Sequence, residues 1–125
     1  MDDKIRVLLL DDEPIVAERV KLSLEMSNFY VDSFVSSNNA LEKLKNEKYD
    51  ILITDLKMSS PDGMEVLKIA RQIQPDIKAV VITGFATNET AEHAKQLGAV
   101  EFVAKPFKMS QLKKILNIIS GVEDK

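Results

Sequence analysis

The chain has no cysteine, which excludes disulfides, thiolate catalysis and cysteine-based zinc sites. It has a single histidine, His93. That residue stands mid-helix among Glu89, Glu92 and Lys95 and reads as a solvated surface position. No glycine-rich phosphate loop of either common pattern occurs, which disfavours a nucleotide-binding enzyme. No apolar run approaches the length of a membrane span, and Met1-Asp2-Asp3-Lys4 does not read as a signal peptide. Basic charge is not in excess either. Lys and Arg number 17 against 20 Asp and Glu, a formal charge of -3, whereas a nucleic-acid footprint is a strongly basic patch. These exclusions leave a soluble, cytoplasmic domain with no direct nucleic-acid contact and no membrane association.

What is present fits that class. At 125 residues, 45% hydrophobic and 30% charged, residues 1–125 read as one domain with one sizeable core. The core spans residues 4–120, and residues 121–125 form a tail or the start of a linker.

Short apolar runs alternate with amphipathic stretches. Ile5 to Leu10 is a nearly continuous apolar run. Pro14, after Asp11-Asp12-Glu13, suits the first position of a helix that carries Val16, Val20 and Leu24 on one line and stops near Asn28. A second strand runs from Tyr30 to Val35, and Ser36 to Asn39 supply caps for a helix using Ala40, Leu41 and Leu44. Ile51-Leu52-Ile53, bounded by Asp50, reads as a strand buried on both faces, with Asp55 at its C-terminal end. Val66, Leu67, Ala70 and Ile73 keep helical spacing until Pro75. Ile77 to Ile82 is a fourth strand. A fourth helix starts near Thr87 and stops at Leu97-Gly98. Ala99 to Val103 is a fifth strand, followed by a last helix with Leu112, Ile115, Leu116 and Ile119 as its stripe.

Five strands alternating with five helices imply a doubly wound parallel sheet. Strands one, three and four are mostly apolar, broken only by Arg6 and Lys78, whereas strand two carries Asp32 and Ser33 and strand five carries Glu101. That places two and five at the edges and gives the order 2-1-3-4-5. The crevice of such a sheet lies at the C-terminal ends of strands one and three. Asp11 and Asp12 follow one of these strands and Asp55 ends the other. Taken singly, each acid reads equally well as a helix-capping or loop carboxylate.

Taken together, they sit on strands ~4.8 Å apart. Two carboxylates ~4 Å apart repel by roughly 4 kcal/mol at an effective dielectric of ~20. Three call for a compensating cation, and a hard divalent ion such as Mg²⁺ fits all-oxygen ligands. Thr83 ends strand four, and Lys105-Pro106 follows strand five. Asp55 accordingly reads as a nucleophile that accepts a phosphoryl group.

This set of residues resembles the receiver domain of two-component response regulators, a flavodoxin-like fold. The matching positions are Asp11-Asp12, Asp55, Asp62-Gly63, Thr83 and Lys105-Pro106. The resemblance implies that Asp55 is the phosphoacceptor, supplied by a sensor histidine kinase or phosphotransfer protein. It implies Mg²⁺ held by Asp12, Asp55 and the backbone carbonyl of Lys57, with Asp11 acting through water. Thr83 and Lys105 would each engage a phosphoryl oxygen, Phe102 would be the switch aromatic, and the Lys105–Pro106 bond would be cis. The domain would be a signalling receiver that assists its own phosphoryl transfer and dephosphorylation, not an enzyme in the ordinary sense.

Its readout would be the face of helix four, strand five and helix five. That face would control an output domain or target protein, and phosphorylation-dependent homodimerisation is part of the same expectation. Helix four has only Ala91 and Ala94 as apolar residues before Leu97, so repacking it would cost little. The family commonly has Met-Pro after the phosphoacceptor loop begins, whereas this chain reads Met58-Ser59-Ser60-Pro61, and Lys57 and Phe85 occupy positions that vary in the family. The alternative is a receiver-fold interaction module that acts without phosphorylation. A small α/β phosphatase is disfavoured, because Asp55 is not followed two residues later by another acid.

Overall fold

A computed structural model describes residues 4–56, 62–84 and 86–121. The expectations placed on Lys57, Ser59, Pro61 and Phe85 therefore lie outside the described residues, as does the tail beyond Gly121.

Ten elements alternate along the chain: β1 (Ile5–Leu10), α1 (Pro14–Met26), β2 (Phe29–Phe34), α2 (Ser37–Asn46), β3 (Ile51–Asp55), α3 (Gly63–Ile73), β4 (Lys78–Thr83), α4 (Asn88–Gln96), β5 (Ala99–Ala104) and α5 (Met109–Ser120). The strands form one parallel sheet in the order β2-β1-β3-β4-β5, the order expected from the polar residues of β2 and β5.

Period-two alternation in the strands sends successive side chains to opposite faces and so builds two cores. Leu8, Leu10, Leu52, Ala79 and Val81 face α2, α3 and α4, where Ala40, Leu44, Val66, Leu67, Ala70 and Ala94 are buried. Val7, Leu9, Ile51, Ile53, Val80 and Ile82 face α1 and α5, against Ala17, Val20, Leu24, Leu112 and Leu116. Because both faces are covered, the central strands can be apolar without a break. Among the described residues, no helix is long and apolar enough to cross a membrane.

Local signals set the ends of the elements. Ser36 caps α2 by accepting from Asn39 N–H, Asp62 caps α3 by accepting from Glu65 N–H, and Thr87 forms a capping box with Thr90 at α4. Gly98 and Gly121 take the positive φ that ends α4 and α5.

Four boundaries or faces differ from the sequence reading. Strand two begins at Phe29 and ends at Phe34, not Tyr30 to Val35. Asn28, at φ 73°, completes the turn out of α1, so Phe29 is free to enter the sheet and be buried. Strand four is Lys78–Thr83, because Ile77 N–H closes a turn onto the Gln74 carbonyl. Strand five extends to Ala104, since Lys105 N–H still donates to the Thr83 carbonyl. The inner line of α1 is Ala17, Val20 and Leu24, with Val16 half-buried at its flank. Steps of three and four residues hold a line on one face better than two steps of four.

Candidate functional site

Register alone brings the key residues to one rim. Leu10 pairs with Thr54, and Thr54 with Val81, so the next residues, Asp11 and Asp55, leave adjacent strands at the same height. Thr83 pairs with Ala104, which puts Lys105 one step beyond the end of β5. The rim is formed by C-terminal strand ends, where parallel sheets open their crevice.

Lys105 is the hub. Its Nζ lies 2.8 Å from Asp55 Oδ2, 2.9 Å from Asp11 Oδ2 and 3.2 Å from Glu13 Oε1. The Asp11 side chain is fully buried and that of Asp55 is 7% exposed, while the Lys105 side chain keeps 18% of its surface. Burial raises the pKa of the Asp11 carboxyl above the ordinary carboxylate value, and the Glu13 N–H and Lys105 offset part of that rise. Burial pulls Lys105 down, but the hydrogen bonds it donates to Asp55 and Asp11 and their charges outweigh it and hold the ammonium above its usual pKa.

The remaining geometry is mostly backbone. Asp11 Oδ1 accepts from Glu13 N–H at 2.9 Å, which fixes the carboxylate so that Oδ2 faces Lys105. Asp11 N–H donates to the Phe34 carbonyl, tying the rim to the edge strand. Oxygen atoms of Asp11, Asp12 and Asp55 lie within 4.8 Å of one another, with Asp12 exposed and the other two buried. Three carboxylates around one opening form an all-oxygen donor set, and with Glu13 they outnumber the Lys105 ammonium, the one cation paired with them among the described residues. A hard dication fits that set in both ligand type and charge. Thr83 is fully buried at the end of β4. Phe102, on β5, is half-buried and packs on the α3 side of the sheet. The Lys105–Pro106 peptide is cis. His93 is exposed on α4.

Two participants escaped the sequence reading. Glu13 entered it only as one of three acids before a helix, yet its carboxylate reaches Lys105, 92 residues away. Gly63 entered it as a motif residue, but its role is spatial. A Cβ there would meet the Asp55 carbonyl oxygen at 1.9 Å, so only glycine lets α3 start this close to the strand end.

Comparison with known proteins gives the family of the chain. The family profile described as the response regulator receiver domain matches residues 7–117. The response regulator receiver protein CpdR of Brucella abortus (strain 2308) is 31% identical over 107 residues, covering 86% of this chain and 89% of that protein. The C4-dicarboxylate transport transcriptional regulatory protein DctD of Rhizobium meliloti (strain 1021) is 33% identical over 106 residues, covering 85% of this chain but only 23% of that protein. The chain thus spans less than a quarter of the length of DctD, though nearly all of CpdR. Among solved structures, a response regulator receiver domain protein (CheY-like) from Methanospirillum hungatei JF-1 superposes with a TM-score of 0.92 at 24% identity, covering 96% of each chain. A response regulator from Burkholderia pseudomallei, with a phosphorylated aspartic acid, calcium ion and citrate, gives a TM-score of 0.86 at 25% identity, covering 95% of this chain and 70% of that one.

Proposed function

This chain belongs to the response regulator receiver domain family, and from that premise we propose that Asp55 accepts a phosphoryl group from the phosphohistidine of a sensor kinase or phosphotransfer protein. A receiver domain is a signalling domain, so the product of this chemistry is a changed surface and not a released metabolite. The observation that carries the reading is the Lys105 ammonium held between Asp55 and Asp11 at the mouth of the sheet.

In the transfer, an Asp55 carboxylate oxygen bonds to phosphorus as the phosphorus–nitrogen bond of the donor breaks and its electron pair leaves with the imidazole. Lys105, within hydrogen-bond reach of Asp55, meets the negative charge carried by the incoming group. Thr83 contributes a hydroxyl from the end of β4 for a further phosphoryl oxygen. Asp11, Asp12 and Asp55 would hold Mg²⁺, with the Lys57 carbonyl as a further oxygen donor. The ion supplies charge neutralisation at the transferring phosphoryl oxygens. The phosphorylated aspartic acid and calcium ion of the Burkholderia pseudomallei structure support both parts of this reading.

The readout surface is α4, β5 and α5. Phosphorylation adds roughly -1.5 to -2 charges and strong acceptor oxygens beside Thr83 and Lys105. Engagement of Thr83 draws the β4–α4 loop inward and makes room for Phe102 to follow. The altered face then controls an output domain or target protein, with homodimerisation through the same face as one output.

The test is intact-mass measurement after incubation with Mg²⁺ and a small acyl phosphate. Wild type is expected to gain one phosphoryl group and Asp55→Asn none. A wild type that stays unmodified would leave a receiver-fold module acting by contact alone.

A further inference from the structure

An ammonium has three N–H donors, and Lys105 directs them to three carboxylates: Asp55, Asp11 and Glu13. Two of these partners are the acids proposed to engage Mg²⁺ and the phosphoryl group. Glu13 is the third, and among the described residues Lys105 is the partner its carboxylate has. It occupies the N-cap position of α1, but its side chain makes no capping hydrogen bond. Its backbone is used, N–H to Asp11 Oδ1 and carbonyl to Ala17 N–H, while its carboxylate is directed across the rim to Lys105. Its side chain is 62% exposed, so it pulls the ammonium outward, whereas Asp11 and Asp55 pull it into the protein.

We propose that Glu13 is a positioning residue that acts through Lys105, holding its ammonium at the outer rim so that Asp11 and Asp55 can be released to a dication. This deepens the Mg²⁺-dependent phosphoacceptor reading and rests on it. Without Glu13, the ammonium keeps, among the described residues, the two inner carboxylates as partners, and it competes harder with Mg²⁺ for them. With Glu13, Lys105 keeps an anionic partner during the exchange and stays within reach of the incoming phosphoryl oxygens. The effect is on the dication requirement first and on the transfer itself second.

The test is a double-mutant cycle on Mg²⁺ affinity, read from amide shifts in two-dimensional NMR spectra of the full chain during Mg²⁺ addition. Glu13→Gln is expected to weaken Mg²⁺ binding about two- to fivefold, the scale of an exposed ion pair within a network. In a Lys105→Met background the same substitution is expected to have less than half that effect. Lys105→Gln serves in its place if Lys105→Met loses its dispersed spectrum. Glu18→Gln, an exposed acid one turn further along α1, controls for loss of one negative charge and is expected to shift affinity less than Glu13→Gln.

An equal loss in both backgrounds, or an unchanged affinity in Glu13→Gln, would overturn the proposal. Intact-mass measurement on wild type tests the underlying reading separately. No mass gain alongside an intact cycle would remove phosphoacceptance and leave the hold of Glu13 on Lys105 standing.

Discussion

Gly63 and Asp55 touch through backbone. A Cβ built on Gly63 would lie 1.9 Å from the Asp55 carbonyl oxygen and 2.6 Å from Leu56 Cα, and Gly63 N–H donates to the Leu56 carbonyl at 3.1 Å. These neighbours are main chain at the end of β3, so they cannot rotate away as a side-chain tip would. Alanine in a helix is otherwise favoured over glycine by up to about 1 kcal/mol. Overpacking costs about 1–3 kcal/mol, and here the clash is with backbone, so it prevails. Gly63→Ala is expected to lower the urea midpoint. Equal stability would mean that α3 can withdraw from the strand end without cost.

Lys105 is the cation facing Asp11 and Asp55 in the rim contacts, and replacing it by methionine leaves two buried carboxylates without that donor. In metal-free buffer Lys105→Met is expected to lose about 1–3 kcal/mol at pH 7.5, the scale for stranding buried acceptors. The folded pKa of Lys105 is raised. Its contribution is therefore fully present below the unfolded value of about 10.4 and lost only as pH rises through the higher folded value. The stability gap should stay constant to about pH 10. Denaturant curves in which it closes well below that pH would contradict the pairing.

Asp11 carries the opposite consequence at the acid end. Burial raises its folded pKa, so the stability linked to its protonation is fully present below the unfolded value of about 3.9 and falls as pH rises through the folded one. Asp11→Asn has no such loss. Relative to wild type, the variant is expected to gain stability as pH climbs above about 4. Denaturant midpoints of both proteins, measured in chelator across that window, check the sign. A wild type that gains on the variant with rising pH would mean that Lys105 and the Glu13 N–H outweigh burial.

The sheet was legible because its signal is local and repeated. Leu8 and Leu10 alternate with Val7 and Leu9, and each pair enters a different core. Strand order was legible because mid-strand charge marks the edges: Asp32 on β2 and Glu101 on β5 lie within their strands, whereas the charges of the inner strands, Arg6 and Lys78, stand at their N-terminal ends. The acids of the rim were legible because strand ends in a parallel sheet converge.

What stayed hidden depends on distance across the fold. Ala17 is buried while the larger Val16 packs half-buried at the flank of the same core, so hydrophobicity alone does not pick the inner position. Tyr49, a single aromatic before a strand, gave no pattern, yet it is 2% exposed and its hydroxyl donates to Asp32. Burial and that hydrogen bond hold its phenol well above the ordinary pKa. Arg6 lies 4.8 Å from the ring of Tyr30 and 4.7 Å from that of Tyr49 and reaches Glu47, a set of contacts that ties β1, β2 and the α2–β3 connection together.

The proposed readout face can be tested without identifying any partner. Helix α4 has nine residues and buries one side chain, Ala94, whereas α3 has eleven and buries Gly63, Val66, Leu67 and Ala70. Ala94 is a single methyl group, worth about 0.8 kcal/mol per buried carbon, against two branched chains worth about 1.5–3 kcal/mol each in α3. Local opening of α4 should therefore cost less. Native-state hydrogen exchange is expected to show central α4 amides at least about tenfold less protected than those of α3, a difference of about 1.4 kcal/mol. A beryllofluoride mimic bound at Asp55 should then change protection in α4 and β5 more than in α3. Equal protection of the two helices, or a response confined to α3, would place the movable element elsewhere in the fold.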